Sequence, residues 1–415
     1  MHGARMKLLF VVVVVLSLEG CFGVDELKAV VVVYRHGDRT PVQPYPNDPY
    51  KNSSFWPVGF GQLTNEGKER HYELGKWLRN RYSNYLPETY SENDIRVQST
   101  DVDRTLMSAQ SNLAGLYPPT GSQIWNKNMS WQPIPIHTQP EKEDALLAMK
   151  KSCPKYKVLY KELEKSPFFN EIRRKNHDLY AFLSLKSGEK ITSLETLEYL
   201  YNTLLIETFF NYTLPDWAQK AFPKMQPYAY LSFATACWTQ ELARYKTGPL
   251  FNEIVDYFTN RTITTEGNKK MLVFSAHDTT IANLLNSLGA FEFHSPPYAS
   301  TLLFELKYNG EYYVNVLYKN SSVPQNITIK GCTFNCNFTD FIKILSPITL
   351  TLDQWEYECK INWLDFWPLG LTGSIVLSCV LSCIGFAGFA LAMSMKFGKK
   401  SHESSYIQLP NEEYA

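Results

Sequence analysis

A chain of 415 residues is too long for one small domain and suits about two. Its 41 basic and 41 acidic residues balance to a formal charge of +0, which excludes a nucleic-acid binder working by bulk positive charge and an acidic solvating tail. With 44% hydrophobic and 14% aromatic residues, disorder is excluded as the main state, and eight cysteines are too few for a disulfide-built scaffold.

Residues 1–23 read as a signal peptide: Arg5 and Lys7 lead into the apolar run Leu8–Leu18, and Cys21-Phe22-Gly23 offers small residues for cleavage. Leu27–Tyr34 is short and valine-rich, the pattern of a central strand buried on both faces. Thr64 and Asn65 are both candidate N-caps for a helix carried by His71, Leu74 and Leu78, and Glu66 suits its first turn. Gly67 stands where a capping box with Thr64 would need Glu or Gln. Ile95–Ser99 is a second strand, followed by a helix over Thr105–Leu116. From about 141 to 224 the chain is charged and rich in Leu and Tyr, which predicts an inserted, mostly helical cap. Met271–Ser275 is a third strand, with a helix over Asp278–Leu288. Leu302–Leu306 and Tyr312–Tyr318 read as a hairpin turning at Asn309-Gly310. The recurring strand, turn and helix argue for an α/β sandwich.

No charge falls between Asp365 and Lys396, and 369–395 is long enough to cross ~30 Å of hydrocarbon as a helix. Lys396, Lys399 and Lys400 follow, so the positive-inside rule puts the tail, 396–415, in the cytosol and residues 24–365 in a lumen or outside the cell. In that tail Tyr406-Ile407-Gln408-Leu409 resembles the tyrosine-based signals that send membrane proteins to endosomes and lysosomes, with a clathrin-adaptor type partner. Asn-x-Ser/Thr sequons at Asn52, Asn128, Asn211, Asn260, Asn320, Asn326 and Asn337 fit a glycosylated luminal surface. Five cysteines remain there: Cys153, Cys237, Cys332, Cys336 and Cys359. The odd count leaves one thiol free or paired between chains. Cys332 and Cys336 suit a short bridged loop, with a zinc site as the weaker alternative.

The chemistry gathers at three expected strand ends. Arg35-His36-Gly37-Asp38-Arg39-Thr40-Pro41 follows the first strand, Ser99-Thr100-Asp101-Val102-Asp103-Arg104 ends the second, and Ser275-Ala276-His277-Asp278 ends the third. In open α/β sheets ligands sit at the carboxyl ends of strands. If these strands are neighbours, two histidines, three arginines and several aspartates converge on one pocket. Guanidinium groups hold phosphate oxygens in a planar fork and offset transition-state charge. A histidine can take the phosphoryl group covalently, and a nearby carboxyl such as Asp278 can protonate the departing alkoxide. An acidic optimum is expected because that donor must be a protonated carboxyl.

These motifs resemble the histidine acid phosphatase family, whose hallmark is Arg-His-Gly-x-Arg-x-Pro near the mature N-terminus with a distant His-Asp pair. The similarity runs from about Glu26 to Cys359 and is nearest to the family's animal lysosomal and prostatic branch. It includes Gly59-Phe60-Gly61-Gln62-Leu63-Thr64, Trp131-Gln132-Pro133-Ile134-Pro135 and Thr213-Leu214-Pro215. The resemblance implies a three-layer, phosphoglycerate mutase-like α/β sandwich. It implies hydrolysis of small phosphate monoesters, with His36 as nucleophile, Asp278 as proton donor, and Arg35, Arg39, Arg104 and His277 binding phosphate. It implies no metal or other cofactor, and a homodimer. It also implies bridges Cys153–Cys359 and Cys332–Cys336. A further bridge usual in vertebrate relatives is absent, since Ile206 and Thr301 stand at its positions, which leaves Cys237 as the free thiol.

Rival readings use the same residues. Asp101-Val102-Asp103-Arg104-Thr105 matches the signature of aspartate-nucleophile, magnesium-dependent phosphatases, but no Asp-Asp pair follows to hold the metal. A cell-surface nucleotidase, a phytase-like enzyme and a non-catalytic membrane glycoprotein are the alternatives. Asp38 is left outside the site, and His71, His137, His177 and His294 are expected to be surface or packed histidines.

Overall fold

Side chains along the first strand alternate between two cores. β1 (Glu26–Arg35) is buried from Ala29 onward. Ala29, Val31 and Val33 join one hydrophobic cluster, while Val30, Val32 and Tyr34 join another, as the two-residue period of a strand requires. Helices α1 (Asn65–Arg81) and α2 (Asp103–Leu116) pack on the second face through Leu74, Leu78, Ala109 and Leu113. The first face is covered by helices from further along the chain. Three layers result, helix on sheet on helix.

The computed structural model describes residues 25–264, 269–360 and 370–402. The expected signal peptide, and Tyr406 and Leu409 of the tail, lie outside the described residues. Two units are distinguished, dividing between Tyr357 and Glu358.

After α2, which β2 (Ile95–Ser99) precedes, comes a helical run: α3 (Pro154–Glu164), α4 (Pro167–Lys175), α5 (His177–Ser187), α6 (Leu194–Phe209) and α7 (Asp216–Thr235). It has its own core, including Tyr180, Leu183, Leu197, Leu204 and Met225. The helices start later than the expected 141 because the Asp144 carboxylate accepts the backbone N–H groups of Leu146, Leu147 and Ala148, which makes a turn there. They also run past 224, since α7 continues through Pro223 and Pro227.

Then follow α8 (Gln240–Ile263), β3 (Met271–Ala276), α9 (Asp278–Ser287), β4 (Thr301–Tyr308), β5 (Tyr312–Lys319), β6 (Gln325–Ile327), β7 (Cys336–Asn337), α10 (Phe338–Leu345) and α11 (Leu352–Glu358). Phe251 and Phe258 of α8, Ile281 and Leu284 of α9, and Phe341 of α10 fill the first face. The sheet order is β2-β3-β1-β4-β5-β6, with β7 pairing β5. β2, β3 and β1 run parallel. β4 is antiparallel to β1, and the β4–β5 hairpin turns through Gly310 at φ 81°.

That topology brings the three polar motifs together. Arg35 pairs with Ala276, and Ser99 with Ser275. The three motif-bearing strands are therefore adjacent and end together.

Cys332 and Cys336 are bonded to each other, Cys153 and Cys359 are each disulfide-bonded, and Cys237 is a buried free thiol. Ile206 and Thr301 are both buried. Of the sequons, Asn52, Asn128, Asn211, Asn260 and Asn326 are exposed, whereas Asn320 and Asn337 are half-buried. Asn337 already caps α10 through Oδ1 and donates from Nδ2 to Glu311 Oε2 at 3.0 Å. In the second unit α12 (Gly370–His402) contains Ile375–Met395, with a mean hydropathy of 2.4, long and apolar enough to cross a membrane.

Candidate active site

β1 delivers Arg35 and His36 to the carboxyl end of the parallel strands, both nearly fully buried. The following loop is held by backbone. His36 N donates to Ala276 O (3.0 Å), and Ala299 N donates to His36 O (3.2 Å). Gly37 N donates to Ser108 Oγ at 3.0 Å, and Ser108 Oγ donates to Arg104 O. The Gly59–Thr64 segment backs the same loop: Thr40 N donates to Gln62 O, Thr64 N to Asp38 O, and Thr40 Oγ1 to Gly59 O.

Thr64, not Asn65, is the N-cap of α1, accepting from Gly67 N at 3.2 Å. The missing capping box has a steric cause. A Cβ on Gly67 would lie 2.3 Å from Asp38 O and 2.6 Å from Asp38 N. A Cβ on Gly37 would lie 2.4 Å from Gly67 O. The first turn of α1 rests directly on the motif backbone, so any side chain at 67 displaces it. Gly67→Ala is expected to cost roughly 1–3 kcal/mol of stability, as other overpacked contacts do, and to reduce turnover by at least tenfold, on the order of one such loop shift. Melting temperature and turnover with an aryl phosphate check both parts. Unchanged turnover would mean that the loop tolerates the shift.

The His36 ring is oriented by its own loop. Nδ1 lies 2.8 Å from the Gly37 carbonyl. A ring nitrogen facing a carbonyl must be the donor, so Nε2 keeps the lone pair. Burial, followed by the charges of Arg104, Arg35, Arg39 and His277, drives the imidazole well below its ordinary 6.5. His277 Nε2 sits 3.1 Å from Thr100 Oγ1, and burial, then Arg104, lowers it to about 3. Both rings are thus neutral in acid, where an ordinary histidine is protonated.

Arg35 Nη2 pairs with Asp278 Oδ2 at 2.9 Å, donates from Nη1 to Pro296 O, and stacks 4.1 Å over the Tyr298 ring. Arg39 donates to Asn202 Oδ1 of α6 at 3.2 Å and to Thr40 O. Arg104 is lowered to about 10, first by burial and then by Arg39. The Nε atoms of all three arginines are buried without partners. Among the described residues neither Arg39 nor Arg104 has an ion pair within 4.0 Å. Three crowded cations against one carboxylate leave a pocket short of negative charge, which a phosphate dianion would supply.

Asp278 opens α9. Burial acts to raise its carboxyl, but Arg35, Arg39 and His277 outweigh burial and hold it below the ordinary 3.8. These cations bias Asp278 toward the carboxylate, so a proton donor there needs a negative charge close by to offset them.

The structure brings together Arg35, His36, Arg39, Arg104, His277 and Asp278. It keeps Asp38 apart, bound through both oxygens to Arg70 on α1 at 2.5 and 3.0 Å. Asp101 is exposed, and Asp103 accepts from Gln62 Nε2 at 3.3 Å. His71 is fully buried and donates from Nε2 to Arg35 O at 3.0 Å, so it packs beneath the loop. Among the described residues no group of three or more His, Cys, Asp or Glu side chains could hold a metal. Asn202, Tyr298 and Glu198 escape sequence reasoning, because no motif marks them.

The buried ionisable groups set a stability profile. Burial, then Asp278, raises Glu198 to about 8. Burial, then Asp48, raises Glu207 to about 8, and both Glu207 oxygens lack partners. Stability from these two is full below 4.5, their ordinary value, and is lost as pH rises through about 8. His277 and His71 are lowered, the latter to about 4 by burial. Their contribution is full above 6.5 and lost as pH falls. His36, lowered with them, adds a third depressed imidazole, so between 4.5 and 6.5 the histidines outweigh the two glutamates and stability climbs with pH. Thermal melting is expected to peak near pH ~6.5 and to fall on both sides. A maximum near pH ~8 would contradict the buried-proton account of Glu198 and Glu207.

A buried histidine with a free Nε2 and three arginines gather where the parallel strands end, an arrangement chemically suited to phosphoryl transfer. The chain belongs to the histidine phosphatase superfamily (branch 2), which it matches over residues 26–319. It is 39% identical to human prostatic acid phosphatase, covering 86% of this chain and 94% of that one. It is 36% identical to rat lysosomal acid phosphatase, covering 93% and 92%. Among solved structures, Hafnia alvei phytase aligns with a TM-score of 0.60 at 19% identity, covering 81% of this chain and 99% of that one. Citrobacter braakii phytase aligns with a TM-score of 0.60 at 18% identity, covering 81% and all of that chain. These two support the fold alone.

Proposed function

We propose that the protein is an acid phosphatase that hydrolyses phosphate monoesters through a phosphohistidine on His36. The observation that carries this is an imidazole kept neutral, with Nε2 free, inside a cluster of three under-compensated arginines. Arg35, Arg39, Arg104 and His277 hold the phosphate. Nε2 of His36 forms a bond to phosphorus as the ester P–O bond breaks, and Asp278 gives its proton to the leaving oxygen. Water then attacks phosphorus, the Asp278 carboxylate takes the water's proton, the N–P bond breaks, and inorganic phosphate leaves.

The proton on Asp278 comes with the substrate. A phosphate monoester has a second pKa near ~6, so in acid it arrives as a protonated monoanion. Its charge offsets Arg35 and Arg39, the groups that depress Asp278, and the carboxyl then takes up the proton. An acidic optimum follows, with efficiency falling as pH rises through about 6. The test is hydrolysis of an aryl phosphate by the full chain in detergent, across pH, with and without a chelator. Chelator-resistant acidic turnover supports the reading, and a flat or alkaline profile counts against Asp278 as the acid.

We also propose a type I membrane protein of the lysosomal type, made with a cleaved signal, anchored through 369–395 and glycosylated at its exposed sequons. The apolar helix supports this. So does the match to rat lysosomal acid phosphatase, whose 93% share of this chain cannot be met without residues beyond Tyr357. Tyr406→Ala is expected to raise the amount at the cell surface severalfold, on the order expected when one groove-binding anchor is lost. Surface labelling checks this, and an unchanged distribution removes the sorting role and its adaptor partner. A homodimer is supported by exposed Ile124, Trp125, Met129 and Trp131, on a loop leading to His137, which bridges the sheet's edge strand at Gln98.

A further inference from the structure

Glu198 has no part in the reaction as set out, yet α6 carries it to the pocket. It lies one turn before Asn202, which accepts from Arg39, and residues four apart share a helix face. It interacts with Asp278, Arg39 and Arg35. The other acidic groups around the cradle are committed: Asp278 to Arg35, Asp38 to Arg70, and Asp103 to Gln62. Glu198 is half-buried and, among the described residues, its side chain has no hydrogen bond or ion pair. Its nearness to Asp278, the proton donor, puts it on the side where the leaving group departs.

We propose that Glu198 is a specificity-determining residue for the leaving group. It favours phosphate monoesters whose alcohol carries a cation or a hydrogen-bond donor, such as a phosphorylated amino alcohol, and disfavours alcohols bearing further phosphates. This rests on the acid phosphatase reading. The reason is charge. One phosphate balances the surplus of Arg35, Arg39 and Arg104, so a second meets an uncommitted carboxyl rather than a fourth cation. A partly desolvated carboxylate repels an anion a few ångströms away far more strongly than water would allow.

The selection depends on pH. Burial and Asp278 of α9 raise Glu198, Arg39 and Arg35 from the β1 loop oppose them, and Glu195 of α6 adds to the rise. Glu198 is therefore neutral in acid, half charged at about 8 and largely charged only above it. Discrimination is weak in acid and grows as pH rises through about 8.

The test uses the full chain in detergent, as wild type, Glu198→Gln and Glu198→Asp. The efficiencies for phosphoethanolamine and inositol hexakisphosphate are each taken relative to an aryl phosphate, near pH ~5 and ~9, on either side of the Glu198 titration. Ratios within one enzyme cancel changes in basal turnover. The wild-type preference for phosphoethanolamine over the hexakisphosphate is expected to grow roughly tenfold more than in Glu198→Gln, with Glu198→Asp keeping most of it. Equal pH trends in wild type and Glu198→Gln overturn the inference, as does a uniform loss on all three substrates. A flat wild-type ratio overturns it even if Glu198→Gln does not fold. Wild type without aryl phosphate turnover overturns the acid phosphatase reading and this inference together, whereas turnover with a flat ratio overturns only this one.

Discussion

His36→Ala is expected to abolish turnover, lowering kcat by at least about 10⁴, the scale on which removing a covalent nucleophile acts, while the protein still folds. The expectation follows from how little else the imidazole does. Among the described residues its side-chain hydrogen bond is to the neighbouring Gly37 carbonyl. The loop is held instead by backbone bonds to Ala276 and Ala299 and by Gly37 N to Ser108. The ring is neutral, so its loss leaves the charge balance of Arg35, Arg39 and Arg104 unchanged, and melting temperature should fall far less than activity. The check is burst-phase release from an aryl phosphate beside a thermal melt. Near-normal turnover would sink the nucleophile assignment.

Asp278→Asn should show a loss that depends on the leaving group. A departing alkoxide needs a proton, and an amide cannot give one, so turnover of alkyl phosphates should fall by roughly 10²–10⁴. A phenolate is a stable anion and departs nearly unaided, so aryl phosphates should lose much less. Arg35 loses its carboxylate partner at 2.9 Å, so phosphate should bind more tightly, lowering KM while kcat drops. Alkyl and aryl esters compared side by side on one preparation decide it. An equal fall on both would mean that Asp278 serves only to orient Arg35.

Most of the cradle was legible in the sequence because it lies at strand ends. The Leu27–Tyr34 run, the Ile95–Ser99 strand and Met271–Ser275 each run into a polar motif, and parallel pairing then leaves little freedom over where Arg35, His36, Arg104, His277 and Asp278 meet. What was hidden comes from elsewhere. Asn202 and Glu198 reach the pocket from α6, and Tyr298 from the irregular segment before β4. Their placement is set by tertiary packing, which no local pattern encodes. Gly67 was visible as an oddity, a capping box left unfinished. Only the approach of Asp38 to within 2.3 Å of its missing Cβ explains it. The limits of the helical run were hidden for opposite reasons. A polar stretch that looked helical is wound about Asp144, and two prolines that looked like a stop lie inside α7.

The central claim is that phosphorus becomes bonded to His36 Nε2. Rapid quenching of the enzyme with labelled substrate tests it most directly, with parallel samples stopped in acid and in alkali. The account predicts label that survives alkali and is lost in acid, the behaviour of a phosphohistidine, and no label on His36→Ala. Label that survives acid and is lost in alkali would mark an acyl phosphate on a carboxylate such as Asp101 and would contradict the account.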